Sequence, residues 1–260
     1  MRLPVAAGLS AVLSTLLSLV SAAADPPGAK KPPQTSSKVT YKCRHAGDRP
    51  PKIDGSWADE AAWRRAEPLK DFGVLRADGA KASKATTARL LWDEKNLYVA
   101  FACDNDGVRT KAVKRDDPVW EAEAAEVFLC PRGADAVYYE FNFSPKNVIY
   151  DSRVESWKYE DQAKNWQKWA RGYNAAITSA AVVHRDRAGK VTGWSVEAAI
   201  PFKDFDVAGG KAPAVGDVWL FNAFRIAVKA DGTTEYSHWQ PVRPEFHRPH
   251  QFPRLEFVGR

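Results

Sequence analysis

Residues Asp116 to Pro131 read DDPVWEAEAAEVFLCP. The second half, Glu126-Val127-Phe128-Leu129-Cys130, is apolar and short, the signature of a buried strand. The first half carries Trp120 beside Pro118 and among carboxylates, a poor setting for a core indole. Glu126 opens a strand that is otherwise apolar, and a buried carboxylate needs a partner. The stretch thus brings a flat apolar ring and a fixed acceptor close together. The plainer alternative is a loop aromatic folded on the edge of a sheet, with Glu126 in a structural ion pair.

Outward from this strand, period-two segments recur on both sides. Thr86 to Trp92 and Leu97 to Asp104 flank the turn Asp93-Glu94-Lys95-Asn96 and predict a hairpin. In the second arm Leu97, Val99, Phe101 and Cys103 share one face, and Tyr98, Ala100 and Ala102 the other. Val137 to Ser144 puts Tyr139, Phe141 and Phe143 on one face and Tyr138, Glu140 and Asn142 on the other, as in a sheet with one exposed or ligand-facing side. Val148 to Asp151 continues the meander. Tyr173 to His184 and Val191 to Ala199 form another hairpin, with Trp194, Val196 and Ala198 on one face. Pro201 ends that strand.

Trp219 to Val228, Glu235 to Gln240 and Arg254 to Val258 complete the set at the C-terminal end. Val39 to Arg44 opens it, and Trp57 to Arg65 makes a short helical turn with Trp63 inward. Trp157 to Trp169 reads as a long aromatic loop. Glu245 to Phe252 is a second irregular aromatic loop. Many short strands with regular turns, and no βαβ alternation, predict an all-β, antiparallel β-sandwich of jelly-roll type. Glu197 and Arg225 are expected to form a buried ion pair between strands.

Residues 1–24 read as a signal peptide. Arg2 supplies the positive end, Val5 to Val20 the apolar run, and Ala22-Ala23-Ala24 the cleavage site before Asp25. The run is too short and broken for a comfortable membrane span. Residues 25–38 are rich in Pro, Lys and Ser, a flexible tether. Residues 39–260 form one domain, expected to be an exported monomer with no transmembrane segment once mature. The net charge of +6 is dispersed, which argues against nucleic-acid binding. Cys43, Cys103 and Cys130 leave open one disulfide with one thiol, or three buried thiols. Ten tryptophans are many for this length and suggest a surface that meets flat faces.

In this order the residues resemble the family 9 carbohydrate-binding modules. The matching pieces are Ile53-Asp54-Gly55 with Asp59-Glu60 and Trp63; Leu91-Trp92-Asp93 with Asn96-Leu97-Tyr98-Val99; Trp120 with Glu123 and Glu126-Val127-Phe128; Gly193-Trp194 with Val196-Glu197 and Ile200-Pro201; Asn222 with Arg225; and Pro249 with Phe252. The resemblance implies a secreted, non-catalytic domain of the xylanase-associated type. It would bind the end of an oligosaccharide or polysaccharide in carbohydrate catabolism, by aromatic stacking.

By this resemblance Trp120 and Phe246 are the stacking pair, with Phe246 standing where well-known members have Trp, and Glu126 accepts from hydroxyls. Glu140 stands where those members carry a ligand-facing Arg. Arg243 and His247 complete the expected ligand set. The family often carries structural calcium, for which Asp104 and Asp106 are the candidates; no organic cofactor is implied. Two rival functions remain. A glycoside hydrolase would draw its carboxylate pair from Glu123, Glu126, Glu140 and Glu197. A haem domain would have to use His45, His184, His238, His247 or His250, since Met1 is the only methionine.

Overall fold

The structure is a computed structural model that describes residues 34–77, 79–134, 137–155 and 172–260. The expected signal peptide, most of the tether and the aromatic loop from Trp157 to Trp169 lie outside the described residues. Among the described residues, twelve strands form one sheet. They are β1 (Thr40–His45), β2 (Gly73–Val74), β3 (Thr86–Trp92), β4 (Asn96–Asp104), β5 (Ala124–Cys130), β6 (Val137–Phe143), β7 (Ile149–Glu155), β8 (Thr178–Arg185), β9 (Val191–Pro201), β10 (Val218–Val228), β11 (Thr234–His238) and β12 (Arg254–Val258). The order is β7-β6-β5-β10-β12-β1-β3-β4-β9-β8, with β11 on β10 and β2 on β11.

The sheet is mixed, which corrects the expectation of an antiparallel sandwich. β1 lies between β12 and β3 and runs parallel to both; the other pairings are antiparallel. Alternation reports which face a residue occupies, not the direction of a strand relative to a neighbour far away in sequence. The curled sheet encloses a main core. Val127, Leu129, Phe141 and Phe221 from one half meet Val99, Phe101, Trp194 and Val196 from the other.

Each half also buries part of its outer face. Over β3, β4 and β9, Trp57, Trp63, Leu91 and Tyr98 pack together. Over β5, β6, β7 and β10, Phe128, Tyr138, Tyr150, Phe224 and Phe246 do so. All seven residues of β5 are therefore buried. The expected helical turn near Trp63 is two short 3-10 turns, Trp57–Asp59 and Ala62–Arg65.

Glu197 and Arg225 do not pair, contrary to expectation. Glu197 accepts from Trp63 Nε1 at 2.7 Å and from the backbone N–H of Gly55 at 2.7 Å and Asp54 at 3.2 Å. Gly55 has φ +85°, and a Cβ there would stand 2.9 Å from Val182 Cγ2. Glycine alone fits this turn comfortably and lets the chain reach the carboxylate. Arg225 instead meets Glu123 at 3.1 Å, both side chains fully buried. Glu123 also accepts from Trp194 Nε1 at 3.0 Å, Val228 N at 3.0 Å and Asn105 Nδ2. The guanidinium lies 5.2 Å from the Trp194 ring centre. A buried charge takes whichever partner packing brings to it, and Glu123 lies at the mouth of β5, on Arg225's side of the sheet.

Candidate functional site

The outer face of β5, β6, β7, β10 and β11 is read from register. Glu126 stands opposite Asn142 and Phe224, and Phe128 opposite Glu140 and Asn222. Glu140 stands opposite Ser152, and Asn142 opposite Tyr150. Alternation thus sets Glu126, Glu140, Asn142, Tyr150, Ser152 and Phe224 on one face. A cleft of about 710 Å³ opens over part of this face, lined among others by Trp120, Glu126, Glu140, Tyr150, Phe246 and His247. Its volume is in the range of small-molecule sites.

Two segments close over the strands. The turn Val119–Glu121 follows Pro118; Val119 is buried and anchors it. The neighbouring Trp120 then lies across Tyr150, edge to face, ring centres 4.5 Å apart. From the other side comes the loop after β11. Phe246 is 8% exposed and stacks on Phe224 at 4.2 Å, so one of its faces is spent on the core. His247 Nδ1 meets the Tyr138 hydroxyl at 2.7 Å, and burial, followed by Arg248, holds its imidazole below the usual range.

The floor is acidic. Glu126 is 1% exposed, and among the described residues its Oε1 has no hydrogen-bond partner. Glu140 accepts from Asn142 Nδ2 at 2.8 Å and from Ser152 Oγ at 3.3 Å. Burial, then the neighbouring Glu140, push the Glu126 carboxyl well above the ordinary carboxylate range; Arg225 offsets this in part. Burial raises Glu140 to about 7, against its two hydrogen bonds. Two carboxyls on adjacent strands of one low-dielectric face cannot both ionise cheaply.

The structure gathers Trp120, Glu126, Glu140, Phe246 and His247 around one cleft. Arg243 is not among its lining residues; its backbone N–H and carbonyl clasp the Gln251 side chain at 2.9 and 3.0 Å. Tyr150, Ser152, Tyr236 and Lys229 line the cleft and were not expected there. The signal for Tyr150 and Ser152 was present: they continue, strand to strand, the face of Asn142 and Glu140.

Asp104 and Asp106 do not fit a calcium site. Asp104 is exposed, and Asp106 is held by Lys84 and Arg109, each at 2.9 Å. Calcium asks for six to eight oxygens, and among the described residues no three His, Cys, Asp or Glu side chains gather to hold a metal. Of the histidines offered as haem ligands, His45 meets Glu94 at 3.1 Å and His184 meets Ser195 at 2.8 Å. Of the four glutamates offered as a catalytic pair, Glu123 and Glu197 are locked elsewhere. Cys43, Cys103 and Cys130 are free and buried.

The family model described as carbohydrate family 9 binding domain-like matches residues 53–259. The chain belongs to this family. Among curated relatives, this family 9 domain is 32% identical over 154 residues to endo-1,4-beta-xylanase A of Thermotoga neapolitana, covering 59% of the chain. It is 26% identical over 161 residues to exoglucanase XynX of Acetivibrio thermocellus, covering 62%. Each match spans 12% of the relative's own length.

Among solved structures, a family 9 module from Caldicellulosiruptor kristjanssonii in complex with cellotriose aligns with TM-score 0.58 at 14% identity. That alignment covers 85% of this chain and 95% of the other. A putative carbohydrate-binding protein from Bacteroides uniformis aligns with TM-score 0.61 at 16% identity, covering 84% and 98%. At these identities the likeness is one of fold.

Proposed function

We propose that this family 9 domain is a non-catalytic carbohydrate-binding protein that holds the end of a saccharide chain in the cleft between Trp120 and the C-terminal loop. The observation that carries this reading is the half-buried Trp120 ring beside a floor that holds a buried carboxyl, Glu126, whose Oε1 has no hydrogen-bond partner among the described residues. A pyranose offers a face of C–H groups to an aromatic ring and a rim of hydroxyls to fixed polar groups. Trp120 supplies the main stacking wall. Phe246, already stacked on Phe224, contributes a smaller apolar edge opposite. Glu126 and Glu140 meet the hydroxyl rim.

Family membership supports the reading, as do modules of the same fold described in complex with cellotriose and with glucose. Export belongs to the same proposal, resting on Arg2, the apolar run and Ala22-Ala23-Ala24; the recovered protein is expected to begin at Asp25.

Calorimetric titration with a panel of short oligosaccharides tests the function. At least one is expected to bind, and Trp120→Ala to weaken it about tenfold or more. A stacking contact contributes about 0.5–1.5 kcal/mol beyond burial, the hydroxyl contacts it aligns add to this, and 1.4 kcal/mol is a factor of ten. The far-ultraviolet circular dichroism should not change. Unaltered affinity in Trp120→Ala, or a protein that binds no saccharide, would overturn the proposal.

A further inference from the structure

We propose that the saccharide taken by this cleft carries a free amino group, and that its ammonium is bound by Glu126 and Glu140 beneath Trp120 and Tyr150. The inference rests on the carbohydrate-binding reading above and names its ligand class.

The floor is rich in carboxyl and amide oxygens. Glu126 Oε1 is buried and finds no donor among the described residues. Directly across on β6, Asn142 leaves its Oδ1 without a donor as well, while its Nδ2 is spent on Glu140. Glu140 shares that face two register positions along, opposite Phe128. Buried acceptors without donors are costly, and a neutral hydroxyl brings one donor. An ammonium brings three donors and no acceptor, and its charge favours the ionised form of carboxyls that burial otherwise keeps protonated.

Among the described residues, no Lys or Arg side chain pairs with Glu126 or Glu140 from the cleft side. Arg225 lies on the opposite face of the sheet and is engaged by Glu123. At the rim, Lys229 is paired with Glu235 at 3.2 Å and Arg76 Nε donates to the Pro244 carbonyl at 2.6 Å. A cationic ligand would supply the partner the floor asks for. The rings of Trp120 and Tyr150 beside the carboxyls suit the same guest, since an aromatic face attracts a cation. The whole-chain charge of +6 works against a cationic ligand. A preference for one would thus arise in the cleft and not from the general field.

Titration with three probes tests this near neutral pH: the glucosamine trimer, its fully N-acetylated counterpart and cellotriose. The glucosamine trimer is expected to bind about tenfold tighter than either neutral trimer. In Glu126→Gln that ratio should fall to within about threefold, since the neutral amide no longer pairs the charge. If the Glu126→Gln chain does not fold by circular dichroism, the same ratio in Glu140→Gln decides. Equal binding of the three trimers, or preference for a neutral one, overturns the ammonium inference and leaves the saccharide reading standing. Binding of none of the three sinks the inference, and the wider oligosaccharide panel then decides the function. A ratio unmoved in the variant overturns the roles given to the two carboxyls.

Discussion

At the scale of single residues, the buried carboxyls divide by their partners. Glu197 and Glu123 are saturated with donors, whereas Glu126 and Glu140 are not. Glu197→Ala strands the Trp63 indole N–H and two backbone N–H groups. Each buried orphan costs about 1–3 kcal/mol, so the melting temperature should drop sharply while saccharide affinity in the folded fraction holds. Thermal unfolding followed by tryptophan fluorescence checks this.

Glu126 and Glu140 make the opposite prediction. Their folded pKa values lie above those of the unfolded chain, with Glu140 at about 7. Between the unfolded value of about 4.3 and the folded one, the native state binds more protons than the unfolded. Their contribution to stability should therefore fall as pH rises through this window. The groups facing the pair are Asn142, Ser152, Tyr150, Trp120 and His247, with Arg225 acting from the other face of the sheet. His247 is held below its usual range, so the unfolded chain takes up a proton there that the native state does not, and its contribution rises with pH. The difference in urea midpoint between the unmodified protein and Glu140→Gln isolates the carboxyl, and from about pH 5 to about pH 7 it should shift against the unmodified protein. A difference that shifts in its favour over this interval would contradict the assignment.

At the scale of elements, the β3–β4 hairpin shows why its short sequence is so informative. Asp93 Oδ1 accepts from the N–H of Lys95 at 2.8 Å and of Asn96 at 2.7 Å, and its Oδ2 from the Tyr98 hydroxyl at 2.6 Å. One side chain closes the turn and fastens it to the strand. Asp93→Ala should cost about 1–3 kcal/mol, read from chemical denaturation, with no effect on ligand affinity because Asp93 does not line the cleft.

Local chemistry of this kind made most strands legible in advance. The alternating faces of β4, β6 and β9 are those the residues spell out. Strand direction was not legible. β1 meets β12 and β3 across more than forty residues, and no period-two pattern encodes which way a distant neighbour runs. Nor did the ion pairs follow from the chain: Arg225 pairs with Glu123, a partner chosen by packing. At the site, Trp120 and Glu126 stood out because each breaks a pattern, a ring among acids and an acid among apolar residues. Tyr150 and Ser152 break none, and only register brings them to the same face.

At the scale of the whole molecule, one sheet curls over one main core, and the three thiols lie in that continuous structure on β1, β4 and β5. All are nearly inaccessible: Cys43 and Cys130 are 0% exposed and Cys103 is 1% exposed. Burial raises each thiol above its ordinary range, Cys103 to about 12. The thiolate is the reactive form, so neither access nor ionisation favours attack on the native protein. The strands that carry them are interior to the sheet, each with a neighbour on both sides. Exposing any one thiol requires parting that sheet. A thiol-specific reagent should therefore leave the folded protein unlabelled, label all three cysteines in denaturant, and under mildly destabilising conditions label them at one shared rate set by global opening. Mass spectrometry after timed labelling measures the three rates separately. One thiol reacting well ahead of the others would show that its strand opens alone, and that the sheet does not behave as a single cooperative unit.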